Sequence, residues 1–165
     1  MAGFGTAPAQ DTVLAAQIQQ KLTLQSQMRG GASWFYWIAG LSVVNSIIAL
    51  SGSQWHFIAG LGITEIIDYV ARGTSSAGMI VAIMLDAFAA GMFVLFGVFA
   101  AKRQSWAFII GMVFYGLDAL IWILGQFWLG IAFHIYVLFR IYSGMKAAGQ
   151  LGELEKSMPQ TMVAG

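Results

Sequence analysis

The chain has 165 residues, 59% hydrophobic and 9% charged, with eight Lys/Arg against seven Asp/Glu, two His and no Cys. Soluble domains are nearer a quarter charged, so this composition, with a mean hydropathy of +0.76, excludes a water-soluble core and indicates an integral membrane protein. A net charge of +1 argues against a nucleic-acid partner, which requires a clustered basic face, and the absence of cysteine excludes disulfides, thiolate catalysis and cysteine-ligated metal.

In chain order, residues 1–10 read as a polar arm without the apolar stretch of a signal peptide. From Asp11, an N-cap residue type, to Met28, the apolar positions Val13, Leu14, Ile18, Leu22, Leu24 and Met28 share one side of a helix. Glutamines 17, 19, 20, 25 and 27 hold the other. The pattern predicts an amphipathic surface helix packed on protein and stopped by Arg29-Gly30-Gly31. The first span is expected at 32–50, containing Ser42, Asn45 and Ser46. The two serines are expected to bond their own backbone, whereas the Asn45 amide needs a partner on another helix.

A Ser51-Gly52-Ser53 turn leads into the segment 55–72. Its apolar face is Ile63, Ile66, Ile67 and Val70, and its polar face is Thr64, Glu65, Asp68 and Arg72. Asp68 and Arg72 have i,i+4 spacing, which predicts a charged face satisfied within the segment. Gly60-Leu61-Gly62 provides the break that a re-entrant element requires. Three further spans are expected at 78–101, 105–126 and 127–142, each near or above the length that crosses a bilayer. Asp86 and Asp118 are the only charges within the first two, and the third carries His134 near its centre. Arg140, near the end of that third run, has a stem long enough to carry its head to the interface. Residues 145–165 read as a solvated tail. Trp34, Trp37, Trp55, Trp106 and Trp128, near the ends of apolar runs, serve as depth markers.

The expected fold is an all-α helical bundle of 32–144, with four transmembrane helices plus one re-entrant or interfacial helix. The alternative is five spans. With four, Lys21, Arg29, Lys102, Arg103, Arg140, Lys146 and Lys156 fall on one side and Arg72 on the other, as the retention of basic residues in the cytoplasm favours. Competing with this, the stretch from Arg29 through Ser33-Trp34 and Asn45 to Gly52 echoes Lys102 through Ser105-Trp106 and Asp118 to Gly125. That echo implies a duplicated three-helix unit with five crossings.

Asn45, Asp86, Asp118 and His134 each fall within about two turns of the middle of a different apolar run, forming an expected midplane polar cluster. An aspartate at the centre of an isolated helix costs about 2.5–3.5 kcal/mol on insertion scales, so two aspartates demand mutual satisfaction, protonation or water. Either they relay protons or hold a cation, or they form a buried network that fixes helix register. No cofactor or metal is expected, since Glu65-Ile-Ile-Asp68 is not the Glu-x-x-His pair of a bundle metal site. Met84-Leu-Asp86 and Tyr115-Gly-Leu-Asp118 likewise lack the Tyr-Asp and Gly-x-Gly-Asp motifs of intramembrane aspartyl proteases.

Gly40 to Gly52 with Gly60-Leu-Gly-Ile-Thr-Glu-Ile-Ile-Asp68, and Tyr115-Gly-Leu-Asp118 followed by Ala132-Phe-His134 and Gly144, resemble small bacterial polytopic integral membrane proteins. The resemblance implies an inner-membrane bundle and carries no activity with it. The expected role is non-enzymatic, as a self-associating or accessory subunit with the lipid bilayer and other membrane subunits as partners. The alternative is a small proton- or cation-linked transporter or channel.

Overall fold

The computed structural model describes residues 7–51, 61–71 and 76–158. Among them lie five helices: α1 (Ala7–Leu50), α2 (Gly62–Ala71), α3 (Ser76–Ala101), α4 (Ser105–Leu124) and α5 (Trp128–Ser157). All except α2 are long and apolar enough to cross a membrane.

Two three-residue connections set the topology. At 102–104 and 125–127 the chain turns through a left-handed residue, Arg103 (φ 68°) and Gln126 (φ 59°). In each, a backbone N–H reaches back five residues: Gln104 to the Phe99 carbonyl and Phe127 to the Trp122 carbonyl, both at 3.1 Å, closing the helix end as a Schellman motif does. Links this short force α3, α4 and α5 to alternate in direction. Helix α1 runs antiparallel to α5, because its partners there descend from Glu155 (opposite Lys21) through Gly144 (opposite Gly31) to Phe133 (against Trp34). It is antiparallel to α3 as well, through Phe35–Phe96 and Ser46–Asp86. The end of α1 and the start of α3 therefore lie at the same end of the bundle, and the chain between them makes no net crossing. Among the described residues four helices are long and apolar enough to span, and this arrangement matches four crossings and not five.

The glycines expected to stop the first helix do not. Helix α1 begins at Ala7 and continues through Arg29-Gly30-Gly31 to Leu50, because these positions serve contact between helices. A Cβ at Gly31 would lie 2.5 Å from the Gly144 Cα, and one at Gly144 would lie 2.6 Å from the Gly31 Cα. At 44 residues, α1 is about 66 Å long, twice a hydrocarbon core of about 30 Å. The polar tail expected from 145 is likewise helical to Ser157. Its Ala147, Ala148 and Leu151 are buried in the same core as Leu24 and Met28 of α1, so the two helices project together as an antiparallel pair. Nor does the internal echo correspond to a duplicated unit. A tight turn at 102–104 stands where α1 has no break, and α5 crosses where α2 does not.

Within the spans, aromatic rings fill notches left by glycine. The Phe35 ring occupies the space where a Gly111 Cβ would lie 2.4 Å away, and Trp122 does the same at Gly130 at 2.3 Å. Phe35 in turn meets Phe93, Phe96 and Phe108 at centroid distances of 6.0–6.3 Å. These tilted contacts avoid the face-to-face sandwich that ring quadrupoles disfavour and hold α1, α3 and α4 at fixed register. Seven of the eight basic residues, Lys21, Arg29, Lys102, Arg103, Arg140, Lys146 and Lys156, occupy one end of this bundle. There Glu155 pairs with Arg103 at 2.6 Å and with Lys21 at 3.8 Å.

Candidate functional site

Helix α2 is an amphipathic helix turned inside out relative to a soluble one. Thr64 and Asp68 on its polar face are buried, while Ile63, Ile66, Tyr69 and Val70 point outward. The polar face turns inward because the surrounding medium of a four-helix membrane bundle favours apolar side chains and the interior supplies the polar partners. Arg72, expected to pair with Asp68, lies outside the described residues, as do Trp55 and the Gly52-Ser53 part of the expected turn.

A helix that starts inside a membrane bundle exposes backbone N–H groups with no intrahelical acceptor, and in hydrocarbon these have no water to turn to. Two other helices supply acceptors. The N–H of Leu61 donates to Ser42 Oγ of α1 at 3.0 Å. Gly62 N–H donates to Asp118 Oδ2 at 2.8 Å and Ile63 N–H to Asp118 Oδ1 at 2.9 Å. Thr64 Oγ1 closes the turn on the Leu61 carbonyl at 2.8 Å. Asp118 of α4 is therefore an N-cap provided in trans, and its carboxylate faces the positive end of the helix dipole. No side chain could replace Gly62 without displacing Trp122, whose Nε1 would lie 2.8 Å from a Cβ there.

His134 of α5 completes this cap. Its Nδ1 lies 2.8 Å from the Gly130 carbonyl, and its Nε2 lies 3.1 Å from Asp118 Oδ2. A carbonyl only accepts, so Nδ1 carries a proton. The Nε2–Oδ2 bond needs one more, and Asp118 already accepts from two amides. One proton shared between Nε2 and Oδ2 therefore joins the two side chains, and three hydrogen bonds converge on the Asp118 carboxyl. The His134 ring stacks on Tyr115 at 4.3 Å and 13°, which fixes the plane of the imidazole. His134 itself is fully buried.

The remaining acids gather along α2. Asn45 Nδ2 donates to Glu65 Oε1 at 3.4 Å, and Ser46 Oγ donates to Asp86 Oδ2 at 2.9 Å. Asp68 lies against Asp86, and the Oδ1 of each has no hydrogen-bond partner among the described residues. Glu65, on the non-spanning helix, is pushed up to about 7 by burial first and then by the Asp118 and Asp68 carboxylates facing it.

The four residues expected to form one midplane cluster thus divide between two. Asp118 and His134 hold the start of α2; Asn45 and Asp86 belong to a second group with Ser46, Glu65 and Asp68. Both lie on the side of the bundle away from the basic end: at 1.5 Å per residue, Asp118 is about 9 Å from the end of α4 and about 20 Å from its start. Ser42 bonds the Ile38 carbonyl at 2.9 Å as expected, yet it also accepts from α2. Ser46 was expected to bond its own backbone and instead donates to Asp86. Sequence reasoning missed the capping roles of Ser42 and Gly62. The usable signal was Gly60-Leu61-Gly62 followed by Thr64, a helix start in a chain region with no polar surroundings of its own. Among the described residues no group of three His, Asp or Glu side chains has the arrangement of a metal site.

No protein-family model, no curated protein and no solved structure matches the chain. The resemblance to small bacterial membrane proteins therefore stands on the quoted residues alone.

Proposed function

We propose that the protein is a non-enzymatic subunit of a membrane assembly, with itself or other membrane proteins as partners. The observation that carries this reading is the complete engagement of Asp118 and His134, a buried hydrogen-bonded pair, in anchoring α2, which leaves neither free for proton or acyl chemistry. Two of the connections are only three residues long, so they add no soluble catalytic unit. An association face is available on α3, where Ala87 and Gly91 point outward one turn apart and a Cβ at Gly91 would meet nothing within 4 Å. Small residues at that spacing let a second helix approach closely. With basic residues retained in the cytoplasm, the basic end of the bundle faces that side, and the resemblance assigns the membrane as the bacterial inner membrane. The chain has no cysteine, so single-cysteine crosslinking tests this cleanly. Ala87→Cys or Gly91→Cys is expected to give disulfide-linked species in native membranes, with Ile109→Cys on the exposed face of α4 giving none. Uniform absence of crosslinks, with a monomer by mass photometry in native nanodiscs, refutes the reading.

A second reading rests on a separate observation, the Oδ1 atoms of Asp68 and Asp86, which have no hydrogen-bond partner among the described residues. Adjacent buried carboxylates hold a proton or a cation between them, so a proton- or cation-linked transport role centres on this pair and not on Asp118–His134. Proteoliposomes under an imposed pH gradient test it. Flux abolished by Asp86→Asn supports transport, and the absence of flux above empty liposomes removes it.

A further inference from the structure

At the basic end, a groove of about 640 Å³ opens between α1 and α5, lined on one side by Ser26, Gln27 and Gly30 and on the other by Arg140, Ser143 and Lys146. Its chemistry is one-sided. No carboxylate lines it, and the acids of this end are engaged elsewhere: Glu155 with Arg103 and Lys21, Glu153 with Lys156. Arg140 and Lys146 have no ion-pair partner among the described residues.

The depth of the groove decides what it takes. Gly31 lies against Gly144, so in the antiparallel pair Gly30 is level with about Met145. The Arg140 guanidinium reaches Gly30, where a Cβ would lie 3.9 Å from Nη2. Its charged head therefore sits about one turn nearer the basic end than its own Cα and level with Lys146, as a snorkelling arginine does. Lys146 lies about 27 Å along α5 from Trp128, close to the thickness of a hydrocarbon core of about 30 Å. The two cations thus converge at the level where lipid phosphates lie. Below them, the outward-facing Phe139 and Tyr142 mark where acyl chains begin.

We propose that this groove binds the phosphate of an anionic lipid headgroup, which the planar Arg140 guanidinium grips in fork geometry and Lys146 neutralises. Ser26, Gln27 and Gln150 line the same groove and are available to bond the headgroup's remaining oxygens. The partner is a lipid and not a free anion, because the apolar lower wall gives a soluble phosphate nothing to contact.

The test uses the full chain in mild detergent, titrated with short-chain phosphatidylglycerol, phosphatidylcholine or inorganic phosphate, with bound species counted by native mass spectrometry. The wild type is expected to retain phosphatidylglycerol over phosphatidylcholine and to be indifferent to millimolar phosphate. Arg140→Gln/Lys146→Gln should weaken phosphatidylglycerol binding about tenfold or more, since a juxtamembrane basic residue contributes about a factor of five. Lys102→Gln, at the same end but outside the groove, should leave it unchanged. If the double variant does not fold, the exposed Lys146→Gln alone carries the test, with about a fivefold loss. Equal losses in Lys102→Gln, equal binding of the zwitterionic lipid, or displacement by inorganic phosphate each overturn the proposal, the last in favour of a soluble anion.

Discussion

Replacing Asp118 by Asn keeps the size of the side chain and removes one acceptor, so it isolates the capping role. In the wild type both carboxylate oxygens are used, Oδ1 by Ile63 N–H at 2.9 Å and Oδ2 by Gly62 N–H at 2.8 Å and His134 Nε2 at 3.1 Å. An amide can present its oxygen to only one of these positions. If the oxygen takes the Oδ2 position, the NH2 opposes Ile63 N–H; if flipped, it opposes Gly62 N–H. Either way a buried backbone donor is orphaned, at about 1–3 kcal/mol. The His134 Nε2 bond to the carboxyl is weakened or lost as well, at a cost of about 1–3 kcal/mol. These terms overlap, so the expected net loss for Asp118→Asn is about 3 kcal/mol, smaller than for Asp118→Ala, which orphans both amides. Reversible unfolding of the bilayer- or micelle-embedded protein measures it. A loss below about 0.5 kcal/mol, the scale of an ordinary surface change, refutes the idea that Asp118 holds α2.

Other perturbations separate the remaining contacts. Gly144→Ala drives a methyl to 2.6 Å from the Gly31 Cα, and backbone cannot yield as a side chain does. The expected loss is about 1–3 kcal/mol, with thermal unfolding as readout and no further loss on adding Gly31→Ala. Glu65 holds in the folded state a proton that the unfolded chain has released, because its value rises from 4.5 to about 7. Its contribution to stability is therefore present below pH 4.5, declines as pH rises and is gone above about 7; subtracting the pH–stability curve of Glu65→Gln from that of the wild type should leave this slope. Glu155→Gln removes two ion pairs at the basic end yet should cost only about 1 kcal/mol or less. The difference should vanish at high salt, and a larger salt-insensitive loss would contradict the assignment of these pairs to the solvated end.

The lengths and positions of α3 and α4, and the fact that α2 is not one of the long spanning helices, were legible because lipid-exposed helices leave uninterrupted apolar runs. The identities of Asn45, Asp86, Asp118 and His134 as interior polar groups were legible for the same reason: each interrupts such a run. Their partners were not, since periodicity fixes a residue's face on its own helix and says nothing of which helix lies opposite. That is why Asp118 reads from sequence as a companion of Asp86, whereas in the fold it serves amides 55 and 56 positions away. Gly30-Gly31 misled because one residue type ends helices and also lets them touch. Only the position of Gly144 on α5 distinguishes the two uses. The solvated reading of the residues after 144 failed through the same blindness to partners, since Ala147, Ala148 and Leu151 become a core only when α1 lies against them.

That the interior acid is a cap for a half-helix starting inside the bundle is most directly visible at two amides. Hydrogen exchange at Gly62 and Ile63 should be measured in the bilayer-reconstituted protein, wild type against Asp118→Ala, with the amides in the middle of α4 as the reference for global opening. The account predicts slow exchange at both in the wild type and acceleration of about 100-fold in the variant, equivalent to about 3 kcal/mol of lost local protection, while the α4 amides change far less. Rapid exchange in the wild type, or protection that survives removal of the carboxylate, would contradict it.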